Sequence, residues 1–202
     1  MKYVIRSIDS ATATDIVVKH HYLHRRPSIS FAFGLFEDED IVGVVTYGVP
    51  ASRHAQKSVC PIDPDQALEL NRLWVADDQP KNTASYFVSK TLKLLPPRII
   101  FSYADTSVGH LGYVYRALNF NYAGWTDMDR KTARFDYIPT DKTKHTREAF
   151  RSGYSGKVRR KPKVKYWTVT GSKKERKSLV KKCGWEVMSW KKEPPPIEHK
   201  KR

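Results

Sequence analysis

The feature that most restricts what this chain can fold into is a succession of three apolar segments, residues 67–75, 84–95 and 98–104, joined by short polar turns. The middle segment sets Ala84, Phe87, Val88, Thr91, Leu92 and Leu95 at the i, i+3, i+4 spacing of an amphipathic helix. Pro96 and Pro97 end it. The flanking segments read as strands, the second of them buried. A strand–helix–strand unit of this kind needs a sheet, with the helix crossing one of its faces.

The other segments fit that plan. Residues 2–8 alternate as an opening strand, and Asp9 or Ser10 caps a helix running through Ile16 and Val17 to His20. Residues 30–36 and 41–47 form a hairpin across the acidic turn Glu37-Asp38-Glu39-Asp40. Residues 107–118 predict a short helix with Leu111, Val114, Tyr115 and Leu118 on one side, and 121–126 and 133–138 predict closing strands. The order β-α-β-β-β-α-β-α-β-β defines a mixed α/β sheet flanked by helices. Beyond Thr140 the pattern changes. Residues 153–165 read as a loop, 166–170 as a late strand, and 172–183 as a basic helix closed by Gly184.

Charge divides the chain at about the same place. Residues 130–202 hold 24 Lys and Arg against 7 Asp and Glu, a net of +17, while the whole chain carries +16, leaving residues 1–129 nearly neutral at −1. This predicts a core over residues 1–140, a basic nucleic-acid-binding extension over 141–192 packed on it, and a disordered Pro-rich tail over 193–202. Aromatics among the cations (Tyr154, Tyr166, Trp167, Trp185 and Trp190) suit stacking on bases as well as pairing with phosphates. Arg159, Arg160, Lys161, Lys163 and Lys165 are the leading phosphate binders. A mean hydropathy of −0.60 and the lack of any run of about 18 apolar residues argue against a membrane span. The first residues lack a secretory pattern. Cys60 and Cys183 are too few for a disulfide framework and fit structural thiols in a reducing cytoplasm.

Four constellations carry candidate chemistry. His20-His21-Tyr22 ends a helix and suits metal binding or proton transfer, or simply a polar helix end. In Glu69-Leu70-Asn71-Arg72-Leu73-Trp74, strand alternation sets Arg72 between Leu70 and Trp74 on a buried face. A guanidinium there requires an acidic or phosphate partner, internal or bound. The turn holding Lys81, Thr83 and Ser85 opens a helix, which offers donors to an anion or needs only a cap. Asp105 ends a buried strand beside Tyr103, Ser107, Gly109, His110, Gly112 and Tyr115, where open α/β sheets place ligands. It serves there as base, metal ligand or helix cap.

Together these motifs, with residues 165–171, Cys183-Gly184-Trp185 and Ser189-Trp190, resemble the Mom family of phage DNA-modification proteins over nearly the whole chain. The resemblance implies a GNAT-like, mostly antiparallel mixed sheet. It also implies a transferase that converts adenine in double-stranded phage DNA to N6-carbamoylmethyladenine, shielding it from restriction in the cytoplasm of the infected bacterial host. By the same resemblance, His21, Tyr22, Asp105 and Tyr115 are catalytic positions. His21, Tyr22 and Asp105 are candidate ligands for the iron associated with the family, and Arg72, Ser85, Lys81 and Thr83 would hold the small-molecule donor of the group. The glycine pattern that wraps coenzyme A in GNAT acyltransferases is missing from Gln79-Pro80-Lys81-Asn82-Thr83-Ala84, which counts against acetyl-CoA and leaves the donor open. An acyl-CoA-dependent N-acetyltransferase and a non-enzymatic basic DNA-binding protein are the competing readings.

Overall fold

The computed structural model describes residues 3–127, 132–141 and 149–190. In chain order its elements are β1 (Tyr3–Ser7), α1 (Ser10–His20), β2 (Phe31–Glu37), β3 (Asp40–Gly48), α2 (Arg53–Val59), β4 (Ala67–Val75), α3 (Thr83–Leu92) and β5 (Ile99–Ala104). They continue with α4 (Tyr113–Ala117), β6 (Asn121–Trp125), β7 (Phe135–Pro139), α5 (Ala149–Ser152), β8 (Tyr154–Arg159), β9 (Val164–Val169) and α6 (Lys173–Lys182). The seven-stranded sheet runs β1-β2-β3-β4-β5-β9-β6, and β7 pairs with β8 in a separate two-stranded ribbon. Within the large sheet β4 and β5 are parallel, as the crossover through α3 requires, and the other neighbours are antiparallel. The mixed, mostly antiparallel α/β sheet anticipated from the sequence is therefore present.

Both sheet faces are covered. Phe33, Leu35, Val45, Tyr47, Leu68, Leu70, Phe87, Val88 and Ile100 form the core under α3, with Val114 and Tyr115 of α4 packed against it. On the opposite face Ala13 and Val17 of α1 pack on Ala32 and Val44, while Val59, Ile99, Phe101, Trp167, Leu179 and Trp185 make a third cluster beneath α2 and α6.

Two irregularities shape one end of the sheet. The β4–β5 ladder holds for only three pairs, Ala67↔Ile99, Leu68↔Ile100 and Glu69↔Phe101, although the strands run on to Val75 and Ala104. Beyond Glu69 they part. In the same stretch the β3–β4 register jumps from Thr46↔Arg72 to Tyr47↔Leu70, leaving Asn71 as an extra residue. That bulge corrects the simple alternation expected for β4. Leu73 now shares the α3-side core with Leu70, whereas Trp74 packs on the α1 side. Arg72 thus lies on the face of Trp74, away from Leu70.

Several expectations change. The boundary at residue 140 does not separate a core from an extension packed on it, because β9 is inserted between β5 and β6 inside the main sheet. Residues 154–159, read as loop, form β8 and pair with β7, so β7 belongs to the ribbon and not to the main sheet. Residues 107–118 are not one helix. Gly109 and Gly112 both adopt a φ of +80°, which breaks the run into a 3-10 turn at Thr106–Val108 and α4. At Gly112 a Cβ would also lie 2.3 Å from the Tyr166 ring. Gly184 does not close α6 in a left-handed conformation. It allows close approach instead, since a Cβ there would stand 2.9 Å from the Ser58 carbonyl oxygen. The tail at 193–202 lies outside the described residues. Among those described, no helix is long and apolar enough to cross a membrane. Cys60 and Cys183 are both free thiols.

Candidate active-site cleft

A cavity of about 1260 Å³ opens where β4 and β5 part. One wall is the loop after α1 together with β4, contributing His21, Tyr22, Arg25, Arg26, Asn71 and Arg72. The floor comes from the end of β5 and the segment after it, with Ser102, Asp105, His110 and Tyr115. The other wall is the β7–β8 ribbon and the linker into β9, which bring Asp136, Arg159, Arg160, Lys161 and Lys163. His21, Tyr22, Arg72, Asp105 and Tyr115, drawn from distant parts of the sequence, thus face one space.

The first wall is seated by its backbone. Asn71 Nδ2 donates to the Ser28 carbonyl at 2.7 Å, and Thr46 Oγ1 donates to Asn71 Oδ1 at 2.5 Å. Gly48 admits the loop, for a Cβ there would sit 1.9 Å from the Ser28 oxygen. Arg72 makes no ion pair with a carboxylate among the described residues. Its guanidinium donates to the Asn71 carbonyl at 2.6 Å and to the Arg25 carbonyl at 3.4 Å. The Nε atoms of Arg72 and Arg25 are both buried without a partner. Burial pulls the Arg72 pKa below its ordinary value while the Glu69 charge opposes that shift, yet a guanidinium stays charged at neutral pH. Among the described residues, therefore, no carboxylate supplies the direct anionic partner that the sequence implied, and Glu69 acts on Arg72 only through its charge.

His21 is buried and its Nδ1 accepts from the Leu23 N–H at 3.2 Å, which leaves the ring proton on Nε2. Burial, followed by the charges of Arg72, His110 and His24, lowers its pKa to about 4. It is neutral at pH 7. The Tyr22 ring stacks on His21 at 4.4 Å and meets His110 edge-on at 5.3 Å. Burial first, then the Asp105 charge, raises the Tyr22 phenol well above its usual range. Tyr115 shares a 2.7 Å hydrogen bond with Ser102 and is pushed up to about 12, chiefly by burial. Tyr103 is raised by burial as well. All three shifts favour the protonated phenol.

Asp105 combines the roles left open. It caps the 3-10 turn, its Oδ1 accepting from the Ser107 N–H at 3.0 Å and from the Ser107 hydroxyl at 2.5 Å. Its Oδ2 accepts from Lys163 Nζ at 2.6 Å. Burial favours its neutral form, but Lys163 and Ser107 outweigh that and hold the carboxyl below the usual carboxylate range. Of the iron ligands implied by the resemblance, His21 and Tyr22 stack on one another. Both Asp105 oxygens are engaged, and among the described residues no group of three His, Cys, Asp or Glu side chains is arranged to hold a metal ion.

The turn before α3 is less informative than its sequence. Thr83 Oγ1 donates to the Pro80 carbonyl at 2.7 Å and Ser85 Oγ to the Asn82 carbonyl at 2.9 Å, so both hydroxyls are spent locally. Ala84 lines the cavity, whereas Lys81, Thr83 and Ser85 do not. The structure therefore separates those three residues from Arg72. The phosphate-binding candidates also divide. Arg160 forms a bidentate pair with Asp136 (Nε to its oxygens at 3.0 and 3.1 Å), and Lys163 pairs with Asp105. Lys165 lies over the Trp185 ring at 5.1 Å and is not part of the cavity lining. Arg159 and Lys161 are exposed and make no ion pair among the described residues. Arg25 gives no signal in the sequence beyond bordering the His21-Tyr22 cluster, and His110, named there only as a neighbour of Asp105, lines the cavity against the Tyr22 ring.

The fold and cleft define a mixed α/β protein with an open cavity at the point where a parallel strand pair separates. The Mom protein family is matched over residues 2–182, and this chain belongs to that family. Methylcarbamoylase mom of Escherichia phage Mu is 33% identical over 127 residues, a match covering 59% of this chain and 53% of that protein. The chain thus spans about half the length of the curated relative it matches. Among solved structures, a GNAT-family acetyltransferase of Bacillus cereus is similar at 16% identity and a TM-score of 0.47, covering 85% of this chain and 100% of that one. The ribosomal-protein-S18-alanine N-acetyltransferase of Escherichia coli is similar at 12% identity and a TM-score of 0.47, covering 85% and 96% respectively.

Proposed function

We propose that this chain is a DNA-modifying transferase that converts adenine in phage DNA to its N6-carbamoylmethyl form in the cytoplasm of the infected host, shielding that DNA from restriction. One juxtaposition carries the reading. Arg25 and Arg72, half-buried with their Nε atoms buried and unpartnered and with no ion pair to a carboxylate among the described residues, face the same cleft as an exposed cationic rim at Arg159 and Lys161. The first suits an anionic group on a small donor, and the second suits the phosphates of double-stranded DNA.

The chemistry follows from adenine itself. Its exocyclic nitrogen is a poor nucleophile because the lone pair is delocalised into the ring. A bond from N6 to the donor's methylene carbon forms as the bond to the leaving group breaks, the leaving group taking that electron pair. The nitrogen is then cationic and far more acidic than the parent amine, so a carboxylate of low basicity is enough to take its proton. Asp105, kept ionised by Lys163, fills that role in this reading. His21 Nε2–H and the phenols of Tyr22 and Tyr115 supply donors to the donor's amide oxygen or to the purine edge. An amine inside a duplex is out of reach, so the adenine has to leave the stack. An acyl-CoA reaction fits less well, because the turn before α3 has no glycine and its hydroxyls are already bonded.

The test is to express the chain in bacteria, digest total DNA to nucleosides and look for an adenine derivative heavier by one carbamoylmethyl group. Unmodified adenine from folded protein overturns the proposal. Asp105→Asn removes the modification and leaves DNA affinity in place. Equal loss of both would make Asp105 a scaffold residue.

A further inference from the structure

Extruding a base leaves a hole in the stack, and none of the cleft residues assigned to binding or chemistry fills it. The β7–β8 ribbon has the required parts. Its register sets Asp136 opposite Val158 and Ile138 opposite Gly156, so Asp136, Ile138 and Val158 share one face by alternation, with Arg160 two positions beyond Val158. That face lines the cavity that holds His21, Arg72 and Asp105. Ile138 is 41% exposed and Val158 55% exposed, and neither belongs to any of the three apolar cores. A Cβ built on Gly156, across from Ile138, would meet nothing within 4 Å, so this face of the ribbon is open there.

The ribbon is also stiffened where it joins the protein. Arg160 clamps Asp136 across the two strands, its N–H donates to the Arg134 carbonyl at 2.8 Å, and Arg134 pairs with Asp127 beyond β6 at 2.9 Å. Exposed cations neighbour Val158 in sequence, with Lys157 and Arg159 on the other face of the ribbon by alternation. Lys157, Arg159 and Lys161 make no ion pair among the described residues, and Lys157 lies over the Phe135 ring. Apolar side chains held on a rigid arm between cations suit one partner above others. A duplex offers phosphates to the cations and an apolar gap between base steps to Ile138 and Val158.

We infer that the β7–β8 ribbon is a wedge that enters the DNA helix, with Ile138 and Val158 occupying the space vacated by the extruded adenine. The inference rests on the cleft being a DNA base-modifying site. It assigns the ribbon a step separate from chemistry, namely holding the base out once it has left. Ile138 and Val158 border the pocket, so a base displaced by them moves towards Arg72 and Asp105 rather than into solvent.

The experiment needs neither the donor nor the target sequence. Permanganate oxidises thymines whose adenine partner has left the helix, so plasmid DNA reports extrusion at any site. Wild-type protein at saturation is expected to create hyperreactive thymines. The I138A/V158A variant is expected to lower that reactivity about tenfold, while its affinity for a fluorescent random duplex changes less than about threefold, because the flanking cations remain. Ile138→Leu is expected to retain the signal, which separates a wedge from a general requirement for an intact ribbon. Equal reactivity with the double variant and the wild type overturns the inference. So does a loss of duplex affinity in step with the loss of reactivity, or a wild type that binds without opening any pair. Hyperreactive thymines without any new nucleoside in the mass assay would fail the transferase reading and leave the wedge standing.

Discussion

The two walls of the cleft treat positive charge in opposite ways. The wall from the nearly neutral part of the chain holds Arg25 and Arg72 with buried, unpartnered Nε atoms and no carboxylate. The wall from the cationic last third neutralises much of what it presents, pairing Arg160 with Asp136, Lys163 with Asp105 and Arg134 with Asp127. Net charge therefore misplaces the strongest demand for an anion. A paired cation on the basic wall is part of the architecture, whereas a guanidinium whose buried Nε has no partner is the stronger candidate for binding an anion.

Substitution can break that contrast. Arg72→Met is expected to lower adenine modification by about 100-fold or more, the scale of losing a charge-assisted contact to a reacting ligand. Its melting temperature should hold or rise, since an uncompensated buried charge has been removed. Nucleoside mass yields and thermal melting read the two effects, and a clear drop in melting temperature would make Arg72 a structural residue. Lys163→Met should do the reverse to stability. It strands the Asp105 carboxylate and is expected to cost about 2 kcal/mol, discounted because Lys163 is itself about one-third exposed. Unchanged denaturant midpoints would show that the basic wall's pairs are dispensable.

Acid should act through the first wall. The His21 pKa is about 4 in the folded protein against an ordinary 6.5, so the unfolded chain takes up this proton first as pH falls. The associated stability is complete above about pH 6.5 and is lost progressively towards pH 4, reaching about 2 kcal/mol by pH 5. His21→Phe should flatten that slope between pH 7 and 5, and an identical slope in both proteins would remove His21 as its source. The smallest effect concerns the rim. Arg159→Ala and Lys161→Ala should each reduce the slope of log affinity against log salt by about one, with Arg160→Ala nearly neutral in that measurement. A larger loss at Arg160 would mean that its pair with Asp136 opens on DNA.

Local pattern made most of the elements legible and left long-range partners hidden. The periodicity of residues 84–95 placed α3, and alternation with turn chemistry placed the β2–β3 hairpin. The bulge at Asn71 was invisible because it depends on how β3 pairs with β4. Strand β8 escaped because Tyr-Ser-Gly-Lys-Val-Arg carries little apolar alternation. In the site, the mismatch of Arg72 with its neighbours could be read directly from the sequence. Its partners could not, and neither could pairs such as Asp105 with Lys163, whose residues lie 58 positions apart. The same blindness turned a continuous sheet into an expected core and appendage.

The place of β9 has a consequence for synthesis. A nascent chain of 140 residues on the ribosome would have made β5 and β6 but not the strand that belongs between them. Until Val169 emerges, two strand edges stay unpaired and the floor that carries Asp105 has no Lys163 beside it. Cutting the chain at residue 140 therefore removes the strand that joins β5 to β6 and takes Lys163 away from Asp105, so the loss reaches the floor of the cleft and not only its basic wall.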